Sequence, residues 1–228
     1  MNIRHLIFDC DGVLVDSEPL SMRVDVEILA ENGVVMSEDE AHRRFVGKTF
    51  AAMVAEVEGE TGKRFPSDAS AQKDRRLLAL YARELKAVDG MAEALRRIAM
   101  GGNLSGNSVA SNSPRERVAE ALRITGLTPW FEDRITTFEH APRAKPAPDI
   151  FIEAARRAGA DPALCLVIED SVTGVTAAAR AGCPVLGFTG THHEPHAHGR
   201  ALRHAGAGSV FTRMAELPGL VSSFLGHI

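Results

Sequence analysis

The chain has 228 residues, 45% of them hydrophobic and 25% charged, the composition of an ordinary globular protein with one large domain or two small ones. Its 26 basic and 30 acidic residues leave a formal charge of -4, without the basic excess of a nucleic-acid binder. No apolar run reaches the roughly 18 residues of a membrane span, and Asp9 arrives before a signal-peptide core could form. Cys10, Cys165 and Cys183 form no CxxC pair, so reduced core thiols in a cytoplasmic protein with no membrane partner are expected.

Ile3 to Phe8 is a short apolar run that stops at acidic residues, as a buried strand entering a polar loop does. From Ser17 to Lys86 strand patterning disappears, and the residues read as helices broken by Gly33, Gly47, the Gly59 to Gly62 turn and Pro66. Ser37 with Glu40 fits a capping box, while Leu77, Leu80, Tyr81 and Leu85 recur at helical spacing and are expected to face a small bundle core. Short strands then return at Ser108 to Ala110, Arg134 to Thr137, Leu164 to Ile168 and Val185 to Thr189. They alternate with helical patterns at Pro114 to Thr125, Asp149 to Ala158 and Val172 to Ala181, closed by Gly126, Gly159 and Gly182. This alternation predicts an α/β fold, a doubly wound parallel sheet built from residues 1–16 and 87–228, with residues 17–86 inserted as a helical lobe on two short linkers. Such linkers permit a lid.

Asp9 and Asp11 stand two residues apart at a strand's C-terminal end, so in extended geometry both side chains leave on one face, and Gly12 allows a tight turn behind them. A lone aspartate there would more often cap a helix, but paired acids aimed from an apolar strand require a cation or a shared proton. Glu169-Asp170 ends a second strand in the same way. Ligands of open parallel sheets bind at that edge, and if the strands are neighbours the four carboxylates form an oxygen-rich cluster suited to Mg²⁺. Ser111-Asn112-Ser113 before Pro114 places hydroxyl and amide groups at a helix N-terminus, where a phosphate is favoured and where Ser113 is also a candidate cap. Lys145 in Lys145-Pro146-Ala147-Pro148-Asp149 is a cation held by a stiffened backbone.

These residues, in this order, resemble the haloacid dehalogenase-like (HAD) superfamily of phosphotransferases over essentially the whole chain. The first motif is matched by Phe8-Asp9-Cys10-Asp11-Gly12-Val13-Leu14-Val15-Asp16-Ser17, the second by Val109-Ala110-Ser111-Asn112, the third by Lys145-Pro146 and the fourth by Ile168-Glu169-Asp170-Ser171. The resemblance implies Asp9 as nucleophile, Asp11 as general acid and base, Ser111 as phosphate ligand and Lys145 as the charge that steadies an aspartyl intermediate. It implies Mg²⁺ held by Asp9, the Asp11 main chain and Asp170, with Glu169 nearby, and phosphate or substrate contacts from Gly12 and Asn112. The helical lobe resembles the cap of the phosphoglycolate phosphatase and β-phosphoglucomutase branch. Within it Gly47 and Lys48, flanked by Arg43, Arg44 and Phe45, are the candidate substrate-binding residues.

The expected activity is hydrolysis of a small phosphorylated metabolite, a sugar or sugar-acid phosphate, by a monomer. A sugar phosphomutase remains as an alternative, against which stand Ser21 and Phe50 where that branch carries histidine and arginine. A degenerate phosphate-ligand binder is a third reading, prompted by the glycines between Gly101 and Gly106 ahead of the second-motif strand. Thr191 to His198 packs four histidines around Pro195 and reads as a polar loop in preference to a transition-metal site.

Overall fold

A computed structural model describes residues 3–45, 48–101 and 104–225. The chain divides into two compact units, Met1–Asp16 with Lys86–Ile228, and Ser17–Leu85.

The first unit opens with β1 (His5–Phe8), whose four residues are all buried. After the second unit, which contributes α1 (Glu18–Glu31), α2 (Glu38–Phe45), α3 (Phe50–Thr61) and α4 (Ala69–Glu84), the chain returns through α5 (Met91–Met100). Then come β2 (Gly106–Ser111), α6 (Arg115–Ile124), α7 (Thr128–Phe131), β3 (Ile135–Thr137), α8 (Asp149–Arg157), β4 (Cys165–Glu169) and α9 (Val172–Arg180). The unit ends with β5 (Val185–Phe188), α10 (Pro195–Ala205), β6 (Ser209–Phe211) and α11 (Leu217–Phe224).

The six strands form one sheet in the order β3-β2-β1-β4-β5-β6, with every neighbouring pair parallel. This is the doubly wound architecture expected from the alternation of short apolar runs and amphipathic helices. Successive β1 side chains leave on opposite faces. Ile7 packs with Ile150, Phe151, Ala154 and Val175 from α8 and α9, whereas Phe8 meets Phe131 of α7 edge-on at 5.6 Å. Burying a side chain such as Phe8 contributes about 2–3 kcal/mol, and the two-sided burial explains why β1 reads as an uninterrupted apolar run. The register sets Phe8 beside Val109 of β2 and Ile168 of β4, so the C-terminal ends of three strands lie within two residues of one another.

Three features depart from the sequence reading. Strand β2 begins at Gly106, earlier than expected; pairing with β1 supplies its backbone hydrogen bonds, and the buried Ser108 hydroxyl lies 2.9 Å from His5 Nε2. The histidine-rich segment is only partly loop, because Pro195 opens α10, a position proline favours. Gly59 lies inside α3, which runs on to Gly62 in the left-handed conformation (φ 70°). The edge strand β6, too short to carry a period, had no sequence signal of its own.

In the second unit, Met22, Leu29, Ala41, Phe45, Met53 and Val57 form the core. Leu77 and Tyr81 of α4 are fully buried and Leu80 is half-buried. The Ser37 hydroxyl accepts from the Glu40 amide, as a cap does. Among the described residues no helix is long and apolar enough to cross a membrane, and all three cysteines are buried free thiols.

Candidate active site

The site is built at the C-terminal ends of β1, β2 and β4, the edge where the strand order changes direction. The Asp9 amide donates to Ile168 O at 2.9 Å, so the β1–β4 ladder continues up to the acid. Behind it Gly12 has φ 79°, and a Cβ there would stand 2.1 Å from Asp170 Oδ2. Only glycine fits, both for its left-handed backbone and for the carboxylate that lies against it. Gly174 at the start of α9 plays the same part for Glu169, since a Cβ there would fall 1.7 Å from Glu169 Oε1.

Lys145 is the centre of the arrangement. Its Nζ donates to Asp9 Oδ1 at 2.5 Å, to Glu169 Oε1 at 2.7 Å and to Ala110 O at 2.9 Å, which uses its three protons. The backbone that carries it is clamped by Asn112, whose Oδ1 accepts from the Lys145 amide at 3.0 Å and whose Nδ2 donates to Lys145 O at 3.3 Å. Asn112, a predicted phosphate contact, therefore directs both ends of its amide to the lysine loop. Glu169 is completely buried, and its Oε2 accepts from the Ser171 amide and hydroxyl. Ser171 in turn caps α9 through Gly174 N.

Asp11 is held by a partner of its own. Its Oδ2 accepts from the Ser113 hydroxyl at 2.6 Å, and Ser113 Oγ receives a bond from Arg117 at 2.5 Å. Ser113 thus serves Asp11 and does not cap α6, whose N-cap position is Pro114 with no side-chain cap bond. Ser111 Oγ, buried at the end of β2, accepts from the Ser113 amide at 3.0 Å.

Carboxylate oxygens of Asp9, Glu169 and Asp170 lie within 4.8 Å of one another, and all three residues are buried. Burial pushes the Asp9 carboxyl well above its ordinary range; Lys145 opposes this, and Glu169, Asp170 and Asp11 reinforce it. For Lys145 burial disfavours the ammonium, but Asp9 and Glu169 outweigh it and hold its pKa above the usual lysine value. Three buried carboxylates against one ammonium leave the site short of positive charge. A hard dication with oxygen ligands fits this donor set.

Of the remaining predicted residues, Gly47 lies outside the described residues. Lys48 belongs to the helical unit, where it pairs with Glu56 at 2.5 Å and stands 5.5 Å over the Phe45 ring. It lines a pocket with Ser21, Asp25, Phe45, Phe50 and Lys73. Sequence reasoning missed Arg117 and read His192 and His198 as part of a polar loop. His192 Nε2 lies 3.2 Å from Asp170 Oδ2 and His198 Nε2 lies 2.5 Å from Asp170 O. Pro195 as a helix-opening residue was the available signal for the fold of this segment. Among the described residues the one group able to hold a metal is the acidic one, not a cluster of these histidines.

Known proteins match this architecture throughout. The family model described as haloacid dehalogenase-like hydrolase matches residues 3–182. The 6-phosphogluconate phosphatase of Escherichia coli is 27% identical over 96% of this chain and 94% of its own length. Hexitol phosphatase B of Escherichia coli is 30% identical over 75% of this chain and 77% of its own. Among solved structures, a conserved haloacid dehalogenase-like protein from Agrobacterium tumefaciens superposes with a TM-score of 0.84 at 35% identity, covering 99% of this chain and 100% of that one. With four-fifths of the sequence inside the family match, the chain belongs to the haloacid dehalogenase-like hydrolase family.

Proposed function

We propose that the protein is a Mg²⁺-dependent phosphatase of small phosphorylated sugars or sugar acids that works through an aspartyl phosphate on Asp9. The observation that carries this reading is Lys145 bonded to both Asp9 and Glu169 within a buried surplus of carboxylates. The names of the two phosphatases above support the substrate class.

Asp9, Asp170 and the Asp11 main chain, with Glu169 beside them, are the residues that would hold the cation. When bound, it supplies the positive charge that lets an anionic nucleophile approach an anionic phosphoryl group. Asp9 attacks phosphorus in line through a carboxylate oxygen, forming an acyl phosphate as the bond to the leaving alcohol breaks. Lys145, already fixed against Asp9, offsets charge on the transferring group without reorganising; groups of this kind typically contribute about 10²–10³ in rate. Asp11, oriented by Ser113 and Arg117, protonates the departing alkoxide, and Ser111 contributes a hydroxyl to the phosphoryl oxygens. In the second half Asp11 takes a proton from water, the water attacks phosphorus, and Asp9 is released with inorganic phosphate. Choice among leaving groups falls to the helical unit, where Lys48, Lys73, Glu18 and Asp25 share a pocket with the apolar side chains of Phe45, Phe50 and Met53.

Phosphate release from a panel of phosphorylated sugars, polyols and sugar acids tests this, with Mg²⁺ or EDTA and with Asp9→Asn as control. Turnover that requires Mg²⁺ and disappears in the variant is the expected result. No release from any member, by folded protein supplied with Mg²⁺, would overturn the phosphatase reading.

A further inference from the structure

Asp170 receives an unusual degree of support from one segment, residues 191–198. His192 Nε2 lies 3.2 Å from its Oδ2, and His198 Nε2 lies 2.5 Å from its main-chain oxygen. A carbonyl and a carboxylate only accept, so each ring presents its Nε2–H to Asp170. The two imidazoles stack on one another, with centroids 3.6 Å apart and planes 20° from parallel. One comes from the loop after β5 and the other from the first turn of α10, so each ring fixes the other's plane. The same segment grips the neighbouring acidic loop, because Thr191 Oγ1 donates to Gly12 O at 3.0 Å. Gly12 is also the residue whose missing side chain makes room for Asp170 Oδ2. The Asp170 carboxylate is therefore bounded on one side by the Gly12 backbone and on the other by the His192 ring.

An aspartate on the loop after a strand can rotate about its side-chain torsions, and a cation ligand that rotates binds weakly. Outer partners that fix a ligand's orientation commonly account for 10–100-fold in metal affinity. We propose that His192 and His198 are positioning residues which, as a stacked pair, hold Asp170 in the orientation that serves the cation and so set the cation affinity of the centre. This rests on the cation-dependent reading above. It assigns work to a segment whose sequence reads as a polar loop, with His198 in the first turn of the helix that Pro195 opens.

The test is Mn²⁺ binding to the EDTA-stripped full-length protein, with free Mn²⁺ followed by electron paramagnetic resonance and no substrate present. His192→Ala is expected to weaken binding by about 10–100-fold. His192→Gln, which keeps an N–H donor, should restore most of it, and His204→Ala, exposed on the same helix, should leave it unchanged. In the assay, turnover of His192→Ala should recover as Mg²⁺ is raised, with kcat close to wild type at saturation. His198→Ala is expected to weaken Mn²⁺ binding as His192→Ala does, and should it fail to fold, the two His192 variants carry the test. Binding by folded His192→Ala within about twofold of wild type overturns the positioning role alone. Wild-type protein that binds no Mn²⁺ overturns the cation-dependent reading and this proposal together.

Discussion

Each of the two units sets a lysine against a buried aspartate, and the two pairs differ in charge balance. In the helical unit Lys73 Nζ meets both oxygens of Asp25, at 2.7 and 2.9 Å, and lies 5.0 Å over the Phe50 ring. In the sheet unit Lys145 faces Asp9 and Glu169 with Asp170 close by, so carboxylates outnumber the ammonium. A matched pair is a packing device whose desolvation and attraction roughly cancel. A mismatched one is held in deficit by the fold, and the deficit draws a cation and an anionic substrate into the same place. The buried aspartate in each does not distinguish them; the tally of charges does.

The comparison breaks first at Lys145. Lys145→Met should lower turnover by about 10²–10³-fold, and should cost about 3–5 kcal/mol of stability by stranding two buried carboxylates. Single-turnover rates with urea melts check both, and a variant retaining a tenth of the activity would remove Lys145 from the chemistry. Asp9→Asn should be equally inactive and yet melt higher than wild type in EDTA at neutral pH. The folded-state pKa of Asp9 is raised, so its ionised form opposes folding once the pH exceeds the ordinary aspartate value, and the amide relieves that penalty.

His5 sharpens the contrast from the other end of β1. Burial, helped by Arg134, lowers its pKa to about 4, and its ring nitrogens lie near the Ser105 and Ser108 hydroxyls. A folded pKa below the unfolded value means that the unfolded chain takes up the proton first. Stability is thus full above about pH 6.5 and falls as the pH drops towards 4, by up to about 3 kcal/mol. His5→Asn should flatten that portion of the melting profile. In the helical unit Lys73→Met should cost about 2 kcal/mol, less than Lys145→Met because Lys73 pairs with one carboxylate and is only half-buried. The smallest effect is expected for Lys48→Ala, which should raise KM with little change in kcat; an unchanged KM would restrict Lys48 to its pairing with Glu56.

Strands β1 and β4 were legible because an apolar run on each stops at acids, a pattern that buried parallel strands impose on sequence. The residues gathered at their ends, Asp9, Glu169 and Asp170, were legible for the same reason, since charge after a buried strand has few uses. Strand β2 was harder to read, because Asn107 and Ser108 are buried polar residues and the His5 contact that accommodates Ser108 is 103 residues away along the chain. Ser113 reads as a phosphate-site donor and candidate helix cap because local spacing favours both, whereas its hydroxyl goes to Asp11, 102 residues distant. The histidines beside Asp170 were read as solvated polar residues, because nothing in a run of imidazoles says that two of them stack against a strand end. What stayed hidden in each case was a side chain whose partner is remote in sequence.

Lys145 has one more consequence, and it concerns time. Its three bonds reach Asp9 across 136 residues, Ala110 across 35 and Glu169 across 24, joining the ends of three strands that the chain visits far apart. Contacts between distant segments close slowly, since loop entropy must be overcome before they reward the chain. On refolding, helical signal should therefore recover ahead of activity. Catalytic competence arrives only once β1, β2 and β4 have docked, and a half-assembled chain has no partial version of the centre to display.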